Sequence, residues 1–295
     1  MPKRTRDRHL AKNAERRRQE KLRQQRTKRA AWGVGGGVLL VLLIVLAIGL
    51  LNRRQSEQAA ASATPSVTAP ATGKPHQTGT VGAAVTPPEK VACGGTRPAA
   101  ADKPKPQFDI APSPKQVLDP ANAYTAVIET SCGTVRIALD SEGAPQTVAS
   151  FVFLAQHGFF DGQFFFRIDP SIDVIQGGDP TGTGRDGSGY TIPDELTGKE
   201  KYAPGTIAMA NGGPDTGSSQ FFLIYGANGH NLDDVPNYTI FGHTTEGMDV
   251  LKTIGAIPVQ DPSAIDTQKP IEAIYIDKVT IETAKAPSAS PSPSG

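Results

Sequence analysis

The spacing of hydrophobic positions changes in discrete steps along this chain. Residues 1–31 carry almost no apolar side chains. Residues 32–51 carry no charge at all, and Val38-Leu39-Leu40-Val41-Leu42-Leu43-Ile44-Val45-Leu46 is an unbroken aliphatic run. Residues 52–120 revert to Ala, Thr, Ser, Pro, Gly and Gln with few large apolar groups. From Tyr124 onward apolar and polar residues alternate, the signature of strands. The pattern predicts strands over Tyr124–Thr130, Thr134–Leu139, Phe164–Ile168, Val174–Gln176, Thr206–Ala210, Gln220–Tyr225, Tyr238–Gly242 and Ile274–Ile281. It predicts a helix from Pro145 to Gly158, with proline in the first turn and glycine as the stop, and a second, short helix over Glu246–Ile254. Many short strands with two helices predict a mainly β domain, a closed antiparallel barrel, over residues 121–284. Residues 285–295 read as an unstructured Ser/Pro/Ala tail.

About 20 apolar residues suffice to cross a bilayer as a helix, the form that satisfies its own backbone groups in lipid. Residues 32–51 are therefore read as a single transmembrane helix, with Trp32 at its boundary. Charge completes this reading. The net charge is +1, yet Arg16-Arg17-Arg18 and other basic residues crowd the first thirty positions, so everything beyond the span is net acidic. Such a flank could bind nucleic acid. It is read instead as the cytoplasmic tail that sets membrane orientation, with the domain extracytoplasmic. Against a cleaved signal peptide, the apolar run is too long, and Arg53 and Arg54 separate it from the small residues Ala59–Ala63. Residues 52–120 cannot bury enough surface to offset chain entropy and read as a disordered Pro/Ala/Ser/Thr-rich spacer. Its latter part, around Phe108, is the natural contact with the domain. Cys93 in the spacer and Cys132 in the domain suggest a disulfide in a compartment that permits one, the alternative being two unpaired thiols.

Candidate chemistry centres on Phe164-Phe165-Phe166-Arg167-Ile168. A core excludes an unpaired arginine, so Arg167 must reach solvent, pair with an acid or face a polar cavity. Each Phe-Phe pair should place one ring in the core and one beside it, because strand side chains alternate. Gly182-Thr183-Gly184-Arg185-Asp186-Gly187 matches the dinucleotide fingerprint only as letters, since no helix pattern follows it. His157, His230 and His243 lack metal-ligand spacing, and no nucleophile-histidine arrangement can be read.

Phe165-Phe166-Arg167-Ile168, the block from Gln176 to Gly184, Met209-Ala210-Asn211-Gly212-Gly213-Pro214 and Gly217-Ser218-Ser219-Gln220-Phe221-Phe222 together resemble the signature blocks of the cyclophilins, which are peptidyl-prolyl cis-trans isomerases. The resemblance runs from about Ala121 to Thr283. It implies an eight-stranded barrel capped by a helix at each end, a monomeric catalytic domain, proline-containing polypeptides as partners, and no cofactor, metal or nucleic acid. It assigns electrostatic catalysis to Arg167, the positioning of that guanidinium to Gln176 and the floor of the proline pocket to Phe222. Val174, Ala210, Asn211, Gly212, Gln220, Leu232 and Tyr238 would bind substrate. Phe166 and Tyr238 stand where the family usually has histidine, and Asn231 where a tryptophan favours cyclosporin. The segment between Arg167 and Gln176 is one residue longer than usual, which puts Asp173 at a pocket position unless Ile172 substitutes. A working proline pocket with weakened cyclosporin binding follows. With the single anchor and long linker, the chain resembles an actinobacterial-type envelope protein. The alternative is a catalytically weak proline-peptide binding module or chaperone.

Overall fold

The computed structural model describes residues 83–286. Eight strands run in order: β1 (Asn122–Thr130), β2 (Gly133–Leu139), β3 (Arg167–Asp169), β4 (Val174–Gly177), β5 (Thr206–Met209), β6 (Phe221–Ile224), β7 (Ile240–Glu246) and β8 (Ile276–Lys285). They form one antiparallel sheet in the order β3-β4-β6-β5-β7-β2-β1-β8. The sheet is curled. Its edge strands do not ladder along their length, so the fully closed barrel expected from the pattern is replaced by a curled sheet with a short seam. At that seam Phe164 bridges Tyr275, the Phe165 N–H donates to Ile274 O at 2.9 Å and the Ile276 N–H to Gln163 O at 2.8 Å. The strand expected to begin at Phe164 therefore begins at Arg167, because the chain changes partner there: residues before Phe166 bond to the β8 side and residues after it to β4.

Helix α2 (Pro145–Gln156) packs its buried side into the main core. Its first-turn amides have no partner within the helix. The Glu195 carboxylate takes them, accepting from Gln146 N–H at 2.9 Å and Thr147 N–H at 2.8 Å. Gly158, at φ 66°, ends it. Phe151 on the buried face stacks on Phe160 at 4.9 Å between ring centroids and meets Phe241 and Phe221. Helix α3 (Met248–Gly255) buries Leu251 and Ile254, and a four-residue helix, α1 (Pro114–Val117), precedes β1.

Period-two alternation divides the apolar residues into two clusters. On β6, Phe221 and Leu223 belong to the main core, whereas Phe222 and Ile224 belong to a smaller cluster with Val174, Tyr202 and Ala208. The smaller cluster lies under the groove described below.

Residues 83–120, assigned to the spacer by composition, lie on the domain, and the contact expected around Phe108 and the suggested Cys93–Cys132 link are both present. Val91 forms a parallel bridge with Ala273, Ala92 and Phe108 are buried, and Cys93 is joined to Cys132 by a disulfide. The Lys105 ammonium donates to Ala100 O at 2.6 Å and also to Asp161 O. A Pro/Ala-rich segment has no core of its own, but it can borrow one. Close approach is possible because the domain offers glycine where the arm crosses: a Cβ on Gly162 would be 2.3 Å from the backbone of Ala100 and Ala101. Among the described residues no helix is long and apolar enough to cross a membrane. The span expected over residues 32–51, with its basic flank, and the tail from residue 287 onward lie outside the described residues.

Candidate active site

A row of directly opposed residues crosses four strands. Arg167 on β3 pairs with Gln176 on β4, Gln176 with Phe222 on β6, and Phe222 with Ala208 on β5. Opposed residues in an antiparallel sheet project from the same face, so the cation, the amide and the ring emerge side by side. They border a groove of about 910 Å³ that also takes in Ile172, Val174, Leu232 and Tyr238. Phe222 is buried with its ring edge-on to Tyr238, 5.2 Å between centroids. The apolar end of the groove is thus floored by aromatic and aliphatic carbon, while Arg167 stands at its rim.

Three acceptors hold the guanidinium. Nε donates to Gln268 Oε1 at 2.8 Å, Nη1 to Gln176 Oε1 at 3.0 Å and Nη2 to Asp169 Oδ2 at 2.5 Å. The planar fork of arginine suits such multiple fixation. Burial pulls the Arg167 pKa below the usual guanidinium value, and the neighbouring Asp169 carboxylate opposes that shift. A side chain that starts so far above neutrality stays charged. The acceptors are themselves fixed. Asp169 Oδ1 accepts from the Ser171 N–H and hydroxyl, and Gln268 is buried with its Nε2 on Pro262 O at 3.2 Å. Gln176 Nε2 donates to Gln220 Oε1 at 3.0 Å, and Gln220 Nε2 to Asp186 O at 2.8 Å. A relay of amides therefore runs from the cation along the groove wall.

Ala210, Asn211 and Gly212 follow β5 and also border the groove, beside Gln220, whose carbonyl accepts the Ala210 N–H at 2.9 Å. The Asn211 carboxamide turns away into the wall, donating to Asn237 O at 2.8 Å. Every substrate-binding residue expected from the sequence thus borders one groove. Asp169 and Gln268 were not anticipated. Asp169 had a signal, since it lies two residues from Arg167 on the same strand face. Gln268 had none, being 101 residues distant on a loop.

The extra residue before Gln176 is absorbed in the β3–β4 turn. Asp173 takes φ 49°, a left-handed conformation that aspartate tolerates better than most residues. Its carboxylate turns to the Asn228 N–H at 2.8 Å, and Ile172, not Asp173, lines the groove. Asn231 is exposed and donates to Ser171 O at 3.2 Å, bracing that turn. Phe166 is buried beside Gly184 rather than in the groove. The glycine-rich loop folds around the buried Asp179 carboxylate, which accepts from Thr181, Arg185 and Asp186 N–H groups, and no helix follows it. Among the described residues no cluster of three or more His, Cys, Asp or Glu could hold a metal ion.

A curled eight-stranded antiparallel sheet with an arginine-rimmed apolar groove is the setting in which the comparisons with known proteins fall. Residues 125–281 match the family of cyclophilin type peptidyl-prolyl cis-trans isomerases, and the chain belongs to that family. It is accordingly a peptidyl-prolyl cis-trans isomerase. The probable peptidyl-prolyl cis-trans isomerase A of Mycobacterium leprae is 39% identical over 173 residues, 53% of this chain and 91% of that protein. The peptidyl-prolyl cis-trans isomerase of Synechococcus elongatus is 46% identical over 121 residues, 41% of this chain and 80% of that one. A crystal structure of a cyclophilin type isomerase from Cryptosporidium parvum shares 30% identity, covers 55% of this chain and 99% of its own, and gives a TM-score of 0.48.

Proposed function

We propose that this isomerase accelerates X-Pro rotation in exported proteins from an anchor in the cell membrane, with Arg167 as its electrostatic catalyst. The observation that carries the mechanism is the guanidinium fixed by Asp169, Gln176 and Gln268 at the rim of the groove floored by Phe222.

The X-Pro amide resists rotation because of its partial double bond, with a barrier of about 18–20 kcal/mol. Uncatalysed exchange takes on the order of tens to hundreds of seconds. No bond needs to be made or broken. As the amide twists, the prolyl nitrogen becomes pyramidal and regains its lone pair. A donor directed at that nitrogen or at the adjacent carbonyl oxygen is worth more in the twisted state than in either planar one, and only such a difference lowers the barrier. The proline ring seats on Phe222, with Val174, Ile172 and Leu232 beside it. Arg167 then supplies the donor, already oriented and always charged, so no rearrangement accompanies the twist. The anchored, exported setting rests on the charge-free run over residues 32–51 behind a basic flank. Its bacterial, actinobacterial-like character rests on the resemblance of that layout.

The test is prolyl isomerisation of a short X-Pro peptide by the full chain in detergent micelles, beside Arg167→Ala. The variant should lose about 10²–10³-fold in kcat/KM, the range for removal of one preorganised charge-stabilising donor, while its melting temperature stays near the parent's. A folded variant with parental kcat/KM would remove Arg167 from the mechanism. A folded parent that binds proline peptides without accelerating them would make the domain a binding module.

A further inference from the structure

One residue that borders the groove comes from outside the matched family region. The matched family region begins at residue 125, yet Gln107 of the N-terminal arm borders the groove. Its Nε2 donates to Gly187 O at 3.0 Å, and the next residue, Phe108, donates its N–H to Ser188 O at 2.8 Å. The Phe108 ring is buried edge-on against Phe153, 4.8 Å between centroids. Gly189, at φ +99°, is shaped to receive this contact, because a Cβ there would be 2.6 Å from Phe108 O. The arm is thus fixed to the rim of the groove, and the disulfide and Lys105 hold it further upstream.

This contact is continuous with the catalytic wall. The amide relay from Arg167 through Gln176 and Gln220 ends on the carbonyl of Asp186, and the following carbonyl, of Gly187, receives Gln107. Gln107 Oε1 takes no donor from the described residues. Beyond the proline seat the groove takes in Thr191, Thr216 and Ser218 together with Tyr190 and Ile265. Gln107 therefore supplies the groove with a fixed hydrogen-bond acceptor.

We propose that Gln107 is a specificity-determining residue of the isomerase. Its Oε1 accepts a hydrogen bond from a substrate residue flanking the proline, and favours a side chain that carries an N–H donor over an aliphatic one of similar size. The inference rests on the isomerase reading of the groove.

The experiment compares two peptide series, with asparagine or leucine placed in turn at each position flanking a fixed X-Pro bond, on the full oxidised chain in detergent. The readout is the asparagine-to-leucine ratio of kcat/KM. At one position the parent should prefer asparagine by about three- to tenfold, the worth of a single net hydrogen bond. Gln107→Leu, which keeps bulk and removes the acceptor, should abolish or invert that ratio, and Gln107→Ala should abolish it. A parent ratio near one at every position, or a ratio unchanged in both folded variants, overturns the inference. Calorimetric binding of the same peptides reads the ratio independently of turnover. Failure of the isomerase reading would appear as binding without catalysis, and failure of this inference as a missing preference.

Discussion

At the residue scale, the proposed mechanism makes catalytic competence depend on how tightly one guanidinium is aimed. Arg167 could swing over several ångströms on its own side chain, and each acceptor removes part of that freedom. Gln176 and Asp169 come from the hairpin that carries Arg167, so they move with it. Gln268 does not: it reaches Nε from a distant loop, and its own carbonyl accepts the Ile168 N–H at 2.9 Å. It is the one clamp that refers the arginine to a different part of the chain. Small misplacements of a catalytic group can cost up to about 10²-fold in rate. Gln268→Ala should therefore lower kcat by about tenfold, with KM changed much less, because the proline seat on Phe222 is untouched. Gln268→Glu retains an acceptor and should recover most of the loss. Equal losses in both variants would mean that the loop matters and the hydrogen bond does not.

At the element scale, the arm is the part of the molecule whose behaviour composition misrepresents. The strands were legible because their two-residue period is set by the sheet itself, and the groove was legible because its blocks resemble a known family. The placement of Phe221 and Phe222 on opposite faces of the sheet follows directly from that period. The arm has no period to read. Its burial depends on Gly162 and Gly189, which lie far away in sequence and reveal their purpose only when Ala100 and Phe108 are seen against them. Gln268 escaped for the same reason, since nothing local marks a loop glutamine as a partner for Arg167. The position of Ile172 in place of Asp173 turned on where one extra residue fell in a turn.

What ties the arm most firmly is Cys93–Cys132, a cross-link spanning 39 residues. Closing a loop of that size stabilises a fold by about 2–4 kcal/mol, mainly through the unfolded chain. Cys93 is exposed and within reach of a reductant. Reduction, or the double substitution Cys93→Ser with Cys132→Ser, should lower the melting temperature by roughly 5–15 °C. The sheet should stay folded, because β1 and β2 pair independently of the cross-link. Differential scanning calorimetry with and without reductant measures this, and a shift below a degree would mean that the non-covalent contacts of the arm suffice.

At the scale of the whole molecule, the proposed anchor would divide the chain's labour between reach and chemistry. The charge-free run over 32–51 follows a tail crowded with lysine and arginine, and the catalytic groove belongs to the region from Ala83 onward. An isomerase that serves chains emerging across a membrane gains from being held near the exit, since tethering raises the local concentration of enzyme around its substrate. The arrangement makes a definite prediction about where the protein resides and which way it faces. The full chain expressed in bacteria should sediment with membranes and resist extraction by alkaline carbonate, whereas detergent should release it. Protease added to the outer face of the membrane should remove the isomerase domain and leave a short fragment that retains the N-terminus. Converting the arginines and lysines of residues 1–31 to glutamine should weaken this orientation, because the bias of basic residues sets it. A cleaved product lacking residues 1–58 in the soluble fraction would show instead that the apolar run serves as a removable export signal. A domain protected from external protease in intact cells would place the enzyme on the cytoplasmic side and end the proposal that it serves exported chains.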